Sequence, residues 1–410
     1  MERTRSSAVV VIALVMAGVC VAQSFGRFTY GVVLPAVRDD LLGSNRVAGL
    51  LGTVNVTAYL VGTVVVAALS TRLALVPLMR IGLCFSTAGL LLASVAHSGG
   101  ALAIALAVMG LGGAAIWIPS PRVATGALRP ERRGLAAGFI GTGVGIGIVF
   151  AGRLSDSLRA GQGDDYWRAV YRVEAVIGLV VLFATFALLR HDETAPPGET
   201  APLDRRSAGF AGFRSLRRIH GWLALTVAYA AFGFMYLLVF AFLVARLEDD
   251  AGFTSRHASL MFSLVGVATI FGGLLFGPLS DRIGRRSTLV LGFTVFAASA
   301  LAILPGRQPW VALGSIGAGL AFSGVPTVIA AYVVEATDAV TYGPAYSAAT
   351  LAFGAAQMAA PQVGGLIADW RDSFTLVFVL SAAVAVFGAF VSARLPHARR
   401  AGVVESQPVL

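Results

Sequence analysis

An arginine in the stretch SFGRFTYG, residues 24 to 31, lies inside an apolar run that extends from Ala8 to Val37. A guanidinium keeps its charge at any physiological pH and forks onto a carboxylate or phosphate with two parallel hydrogen bonds. Gln23, four residues before Arg27, and Tyr30, three after it, share its face if the run is helical, and Asn55 falls at a similar depth in the next apolar run. These four side chains form a candidate anion-binding group. A second constellation is GPLSDRIGRR, 277 to 286, where Asp281 stands among Arg282, Arg285 and Arg286. A carboxylate among guanidinium groups makes charge-assisted hydrogen bonds that can be exchanged when parts move; Gly284 suits a tight reversal and Gly277 a close helix approach. Glu174, beside Arg168 and Arg172, reads as half of a surface ion pair. His97, His191, His220, His257 and His397 fall at run ends, in loops or near a terminus, while Cys20 and Cys84 lie singly in apolar runs. No cluster of nucleophile, base or metal ligands emerges, and no P-loop, so neither an enzyme, nor a bound metal or cofactor, nor direct ATP drive is expected.

The element that carries Arg27 must sit in a membrane. Of the 410 residues, 57% are hydrophobic and 13% charged, about half the charged share of a soluble domain, roughly 25%. The net charge is +10 with every basic residue an arginine, yet the arginines fall between apolar runs instead of forming a patch, which excludes a nucleic-acid partner. MERTR followed by an apolar run, with AGVC before Val21, resembles a cleaved leader, but the run exceeds the roughly 7 to 15 residues of a signal-peptide core. The two cysteines read as small core residues, not a disulfide.

A helix crossing about 30 Å of hydrocarbon needs roughly 20 apolar residues. Such runs occur at 8–37, 47–69, 78–96, 101–127, 134–154 and 169–189, and again at 221–245, 258–280, 288–304, 310–334, 344–368 and 374–394. Between the two sets, 190–220 contains HDETAPPGETAPLDRR and reads as a polar linker, dividing the chain into six-helix units at 1–189 and 221–410. Arginines concentrate in RPERRG (129–134), RSLRR (214–218) and DRIGRR (281–286); the positive-inside bias then puts both termini and the linker in the cytoplasm.

The two sets repeat one another. FGRFTY (25–30) faces FGFMY (232–236), AALSTRLALVP (67–77) faces FGPLSDRIGRRS (276–287), and WRAVY (167–171) faces WRDSF (370–374). The residue paired with Arg27 is Phe234, so the charge belongs to the first unit alone. In the first copy of the arginine motif Thr71 replaces the aspartate, Ala74 the second glycine, and Leu75 and Val76 the arginine pair.

Six plus six spans, a cytoplasmic linker and the complete G-x-L-x-D-R-x-G-R-R motif at Gly277 to Arg286 resemble the major facilitator superfamily of secondary transporters. RPERRGLAAG supports the likeness more weakly. The glycine, arginine and aromatic near the middle of the first span, followed by LPAVRDDL, are most similar to its YbfB/YjiJ branch, with some likeness to monocarboxylate carriers. The resemblance implies an all-helical fold of two pseudo-symmetric bundles whose first, fourth, seventh and tenth spans line a central cavity. It places Arg27, Tyr229 and Tyr236 there, and implies a gate at Asp281, Arg282, Gly284, Arg285 and Arg286. Gln357 is a further polar candidate within the eleventh span. Trp117 with IPSPR predicts a bent fourth span that leaves Arg122 at its end. Glycines at 138, 141, 143, 145, 147 and 152 predict close packing of the fifth span.

The expectation is a multi-pass bacterial inner-membrane transporter, acting as a monomer, that moves a small organic carboxylate by alternating access, with proton or counter-anion coupling open. An exporter of drugs or hydrophobic metabolites is the alternative. A membrane-embedded enzyme or a transporter-derived receptor stands behind it.

Overall fold

The computed structural model describes residues 7–70, 73–128, 135–159, 165–189, 214–337 and 342–396. Most of the linker at 190–220, the RPERRG segment, Thr71, His191 and the tail from His397 onward lie outside the described residues. Twelve helices are long and apolar enough to span a bilayer: α1 (Ala8–Leu42), α2 (Asn45–Leu69), α3 (Leu75–Ser94), α4 (Gly99–Ala127), α5 (Gly138–Arg159), α6 (Tyr166–Leu188), α7 (Trp222–Asp250), α8 (Ser255–Ile283), α9 (Arg285–Ile303), α10 (Trp310–Ala336), α11 (Ala345–Arg371) and α12 (Thr375–Ser392). No strand occurs among the described residues. The fold is all-helical, with six spans to each half.

Several helices run past their apolar stretches. α1 continues through Arg38, Asp39 and Asp40, and α7 through Glu248, Asp249 and Asp250. Hydrophobicity ends where the hydrocarbon ends, but the backbone keeps its ladder into the polar interface, where charged side chains reach water and one another. α1 then stops on Gly43, whose φ of +69° is left-handed and whose N–H donates to the Arg38 carbonyl at 2.8 Å. Ser44 caps α2 through Val47 N–H, so the chain reverses within two residues.

The face at which the odd-numbered spans begin is here called the near face, the opposite one the far face. α1 and α7 run through the centre, with 61% and 78% of their most apolar windows buried, whereas α2 shows only 28%. One continuous apolar core joins both halves. The halves meet along α5 against α8 and α2 against α11, where a Cβ on Gly145 or Gly152 would collide with α8 and one on Gly365 with the Asn45 backbone. Packing of small residues therefore sets the interhelical distance, as association in lipid requires. Gly277 departs from its expected role: a Cβ there would meet only Thr327 at 4.0 Å, while the close approach of α8 to α10 falls at Gly272. Gly284, with φ +88°, makes the reversal between α8 and α9. α4 breaks at Ile118 and Pro119 between Gly99–Trp117 and Ser120–Ala127, and Arg122 is exposed near its end.

Candidate functional site

Arg27 lies in a nine-residue π-helical segment, Cys20–Phe28, in the middle of α1. π segments are rare and occur mostly as single turns, frequently at functional sites. Widening the turn shifts backbone carbonyls out of the α ladder, and one side chain from a neighbouring span engages this stretch. Asn55 of α2 donates to the Gly26 carbonyl at 3.0 Å and to the Leu106 carbonyl of α4 at 2.8 Å. Gln23, within the segment, donates to the Gly113 carbonyl of α4 at 3.1 Å. Tyr30, just beyond it, donates to the Ala48 carbonyl of α2 at 2.9 Å. All three are buried, and these donors hold α1 against α2 and α4.

Arg27 itself is only partly buried. Its Nε and Nη2 are shielded from solvent and have no hydrogen-bond acceptor. The guanidinium carbon stands 5.2 Å from the Tyr59 ring centre and 5.9 Å from that of Phe28, a cation–π arrangement. The Tyr236 hydroxyl of α7 faces it from the other half. Gln357 of α11 donates to that hydroxyl, and its own Oε1 has no partner. Beyond Tyr236 lies an aromatic wall: Tyr229 stacks on Phe353 at 4.5 Å, Phe322 packs 4.9 Å from Tyr236, and the Tyr229 and Tyr346 hydroxyls are 3.4 Å apart. A cavity of about 30 Å³ beside Arg27, bounded by Tyr30, Gly52, Asn55, Phe240 and Pro361, bridges the two halves. That is room for about one water molecule.

The structure thus gathers Arg27, Tyr236, Gln357 and Tyr229 around one interior region; Gln23, Tyr30 and Asn55 spend their donors on backbone carbonyls, and Tyr30 and Asn55 also line the cavity beside Arg27. Tyr59, Tyr346, Phe322 and Phe353 join the group without having been singled out from sequence. Tyr59 had a signal, since it lies one turn beyond Asn55 on α2.

The arginine motif forms a brace. Arg285 of α9 meets Asp281 of α8 at 2.7 Å and donates through Nε at 2.9 Å and Nη2 at 2.7 Å to Glu335 of α10; it also donates to Ser280. Every one of these partners lies in the second half. Arg282 is exposed and Arg286 half-buried, and neither makes an ion pair among the described residues.

Glu174 corrects the sequence reading. It is fully buried and accepts a 2.6 Å hydrogen bond from Thr29 of α1. Arg168 instead pairs with Asp40 at 2.8 Å and with Asp165, and Arg172 is exposed. The charge pattern around residue 174 pointed to the wrong partners because Glu174 meets Thr29 in the middle of α1, whereas Arg168 meets Asp40 at its far end.

At the far face the halves are joined by ionic contacts that sequence did not reveal. Arg38 of α1 pairs with Asp249 of α7, and Arg159 of α5 with Glu248. Asp369 of α11 accepts from the backbone N–H groups of Asn45 and Arg46 at the start of α2, both at 2.8 Å, and Arg256 of α8 lies 3.4 Å from Asp156 of α5. Among the described residues, no ion pair joins the halves at the near face.

Residues 19–393 match the family described as "Uncharacterised MFS-type transporter YbfB". The chain is 26% identical over 362 residues to monocarboxylate transporter 13 of Rattus norvegicus, covering 85% of this chain and 79% of that protein. It is 26% identical over 274 residues to a probable 4-methylmuconolactone transporter of Cupriavidus pinatubonensis, covering 66% and 62%. The fold is similar to a solved structure of the xylose transporter XylE from E. coli, with a TM-score of 0.74 at 14% identity, over 95% of this chain and 98% of that one.

Proposed function

The chain belongs to the YbfB-type family of major facilitator superfamily transporters, and from that premise we propose that it carries a small organic carboxylate across the bacterial inner membrane by alternating access. One observation carries the substrate class. Arg27 holds two buried donor nitrogens, Nε and Nη2, that lack acceptors at the meeting of the halves, and a desolvated donor on a charged group is costly until an acceptor arrives. A carboxylate supplies two acceptor oxygens in the geometry of the guanidinium fork. Tyr236 and Gln357 offer a further polar contact, and the Tyr229, Phe322 and Phe353 rings form an apolar wall for the body of the ligand. The names of the monocarboxylate and methylmuconolactone relatives agree with this class.

In this reading the near face is cytoplasmic, both termini lie there, and the working unit is a monomer. The far-face ionic contacts hold the outer side shut, and their release lets the halves rock about the Arg27 region, as in transporters with a midplane site. Coupling to a proton or a counter-anion completes the cycle. The arginine motif stiffens the second half during that movement.

The test is counterflow in proteoliposomes with L-lactate, pyruvate and benzoate, preceded by a thermal-shift screen of the same acids. Stabilisation and exchange in wild type, both lost in Arg27→Phe, are expected. Exchange of apolar cations that persists in Arg27→Phe would instead establish the exporter of hydrophobic compounds.

A further inference from the structure

Glu174 has no place in the mechanism above, and its surroundings are unusual for a carboxyl group. It lies in α6 about eight residues, or roughly 12 Å, from the far end of its helix, with no exposed surface. Thr29 donates to Oε1 at 2.6 Å; Oε2 is buried without any partner. No arginine or histidine pairs with it among the described residues. The ionisable groups near it are Cys20 from the π segment of α1 and Tyr171 on its own helix, with Tyr30 of α1 next to Tyr171. From α3, Thr87 faces the same side of α6 one turn on, at Gly178. The Tyr171 hydroxyl and Thr87 Oγ1 are likewise buried and unpartnered. Arg80 of α3 is committed to the Leu189 carbonyl, Arg168 to Asp40 and the Ala96 carbonyl, and Arg159 of α5 to Glu248. Arg27, two residues from Thr29 on α1, is turned to Phe28, Tyr59 and Tyr236, so no cation among the described residues pairs with Glu174.

We propose that Glu174 is a proton-binding site, loaded in this arrangement and emptied when α1 shifts. A carboxylate with one hydrogen bond and no counter-charge is strongly disfavoured in a dry interior, whereas the neutral acid needs only ordinary hydrogen-bond partners. Thr29 is the link to the rest of the molecule. A threonine inside a helix commonly bonds back to the carbonyl four residues earlier; Thr29 donates to Glu174 instead, two residues beyond Arg27 and at the edge of the π segment. Movement of that segment therefore changes the only donor to Glu174 among the described residues and the packing that keeps it dry. On release the O–H bond at Oε2 breaks, the proton passes to water and a carboxylate remains; on reloading the steps reverse. The coupling to α1 rests on the transport reading, but proton binding at Glu174 does not depend on which cargo Arg27 holds.

The experiment is infrared difference spectroscopy of the purified protein in lipid nanodiscs, titrated with pH, with the proton as the probe. Wild type should show a protonated-carboxyl stretching band that is absent from Glu174→Gln. Thr29→Val leaves the carboxyl in place and should shift that band. Cross-linking Arg38→Cys to Asp249→Cys with a bismaleimide, in a protein lacking Cys20 and Cys84, holds the far face shut and should slow deuterium exchange of the band. A spectrum unchanged by Glu174→Gln, or a band indifferent to Thr29→Val, would overturn the proton site; exchange equally fast in the cross-linked protein would overturn its coupling to α1. None of these readouts requires the anion reading, so each can fail separately from the counterflow test.

Discussion

A single permanent charge inside a twelve-helix protein is costly wherever it sits, since insertion scales put an arginine at mid-membrane about 2.5 to 3.5 kcal/mol uphill. Arg27 offsets part of that against the Tyr59 and Phe28 rings and the Tyr236 hydroxyl, leaving two donor nitrogens without acceptors. If those donors meet the substrate, Arg27→Phe should weaken carboxylate binding by about 1.5 to 3 kcal/mol, roughly tenfold to a hundredfold. Phenylalanine already occupies the repeat-related position, Phe234, so the variant should fold, and equilibrium binding with parallel melting curves separates the two effects. Arg27→Lys should lose part of the affinity, because an ammonium cannot reproduce the fork. Asn55 works differently: both donors of its amide are engaged with backbone carbonyls. Asn55→Leu should lower stability by about 1 to 3 kcal/mol, and its loss of binding should follow its loss of π-segment order, measured by amide exchange at residues 20 to 28.

Among the elements, the π segment of α1 and the brace on α8, α9 and α10 show how local geometry decides which residues act. Asp281 was the central residue of the arginine motif in sequence. In the fold, Arg285 is the hub, because among the described residues it is the side chain that touches Asp281, Ser280 and Glu335 together. Asp281 is 65% exposed on its side chain, and an exposed pair contributes little, about 0 to 1 kcal/mol. Arg285→Ala should therefore reduce turnover more than Asp281→Asn does, while Thr71→Ala, at the degenerate first copy, should leave it near wild type. Transport rates normalised to inserted protein check the order. Equal rates for Arg285→Ala and Asp281→Asn would move the hub back to the carboxylate.

On the scale of the whole molecule, the two halves use related positions for the same task. Asp40 holds α6 to α1 through Trp167 and Arg168, and Asp250 holds α12 to α7 through Ser373 and the Phe374 N–H. Those clamps lie within each half. Their neighbours cross between halves: Arg38 with Asp249, Arg159 with Glu248, and Asp369 at the start of α2. Asp369 satisfies two of the four orphan N–H groups at that helix terminus, and a carboxylate there also meets the positive end of the helix dipole. A lost cap costs about 0.5 to 2 kcal/mol. Asp369→Ala should thus raise the population open at the far face by roughly twofold to thirtyfold. The readout is the rate at which an impermeant maleimide labels a cysteine placed at Thr53, whose hydroxyl now bonds across the interface to the Met358 carbonyl at 2.9 Å. Unchanged labelling would relegate the cap to helix stability alone.

Twelve spans, the six-plus-six repeat and the family were legible in the sequence, because hydrocarbon demands long apolar runs whatever their partners, and because the arginine motif is short and contiguous. The placement of Arg27 inside the first span followed from the same argument. The side each helix turns inward was not legible, since spans apolar all round carry no periodic stripe. That is why Glu174 read as a surface residue, and why the hydrogen bonds of Gln23, Tyr30 and Asn55 to backbone carbonyls were not apparent. The decisive partners are remote in the chain: Thr29 with Glu174, Arg38 with Asp249, Asn45 with Asp369. A hydrogen bond is fixed by distance and direction in space, and only the packing of the two halves brings those pairs within reach.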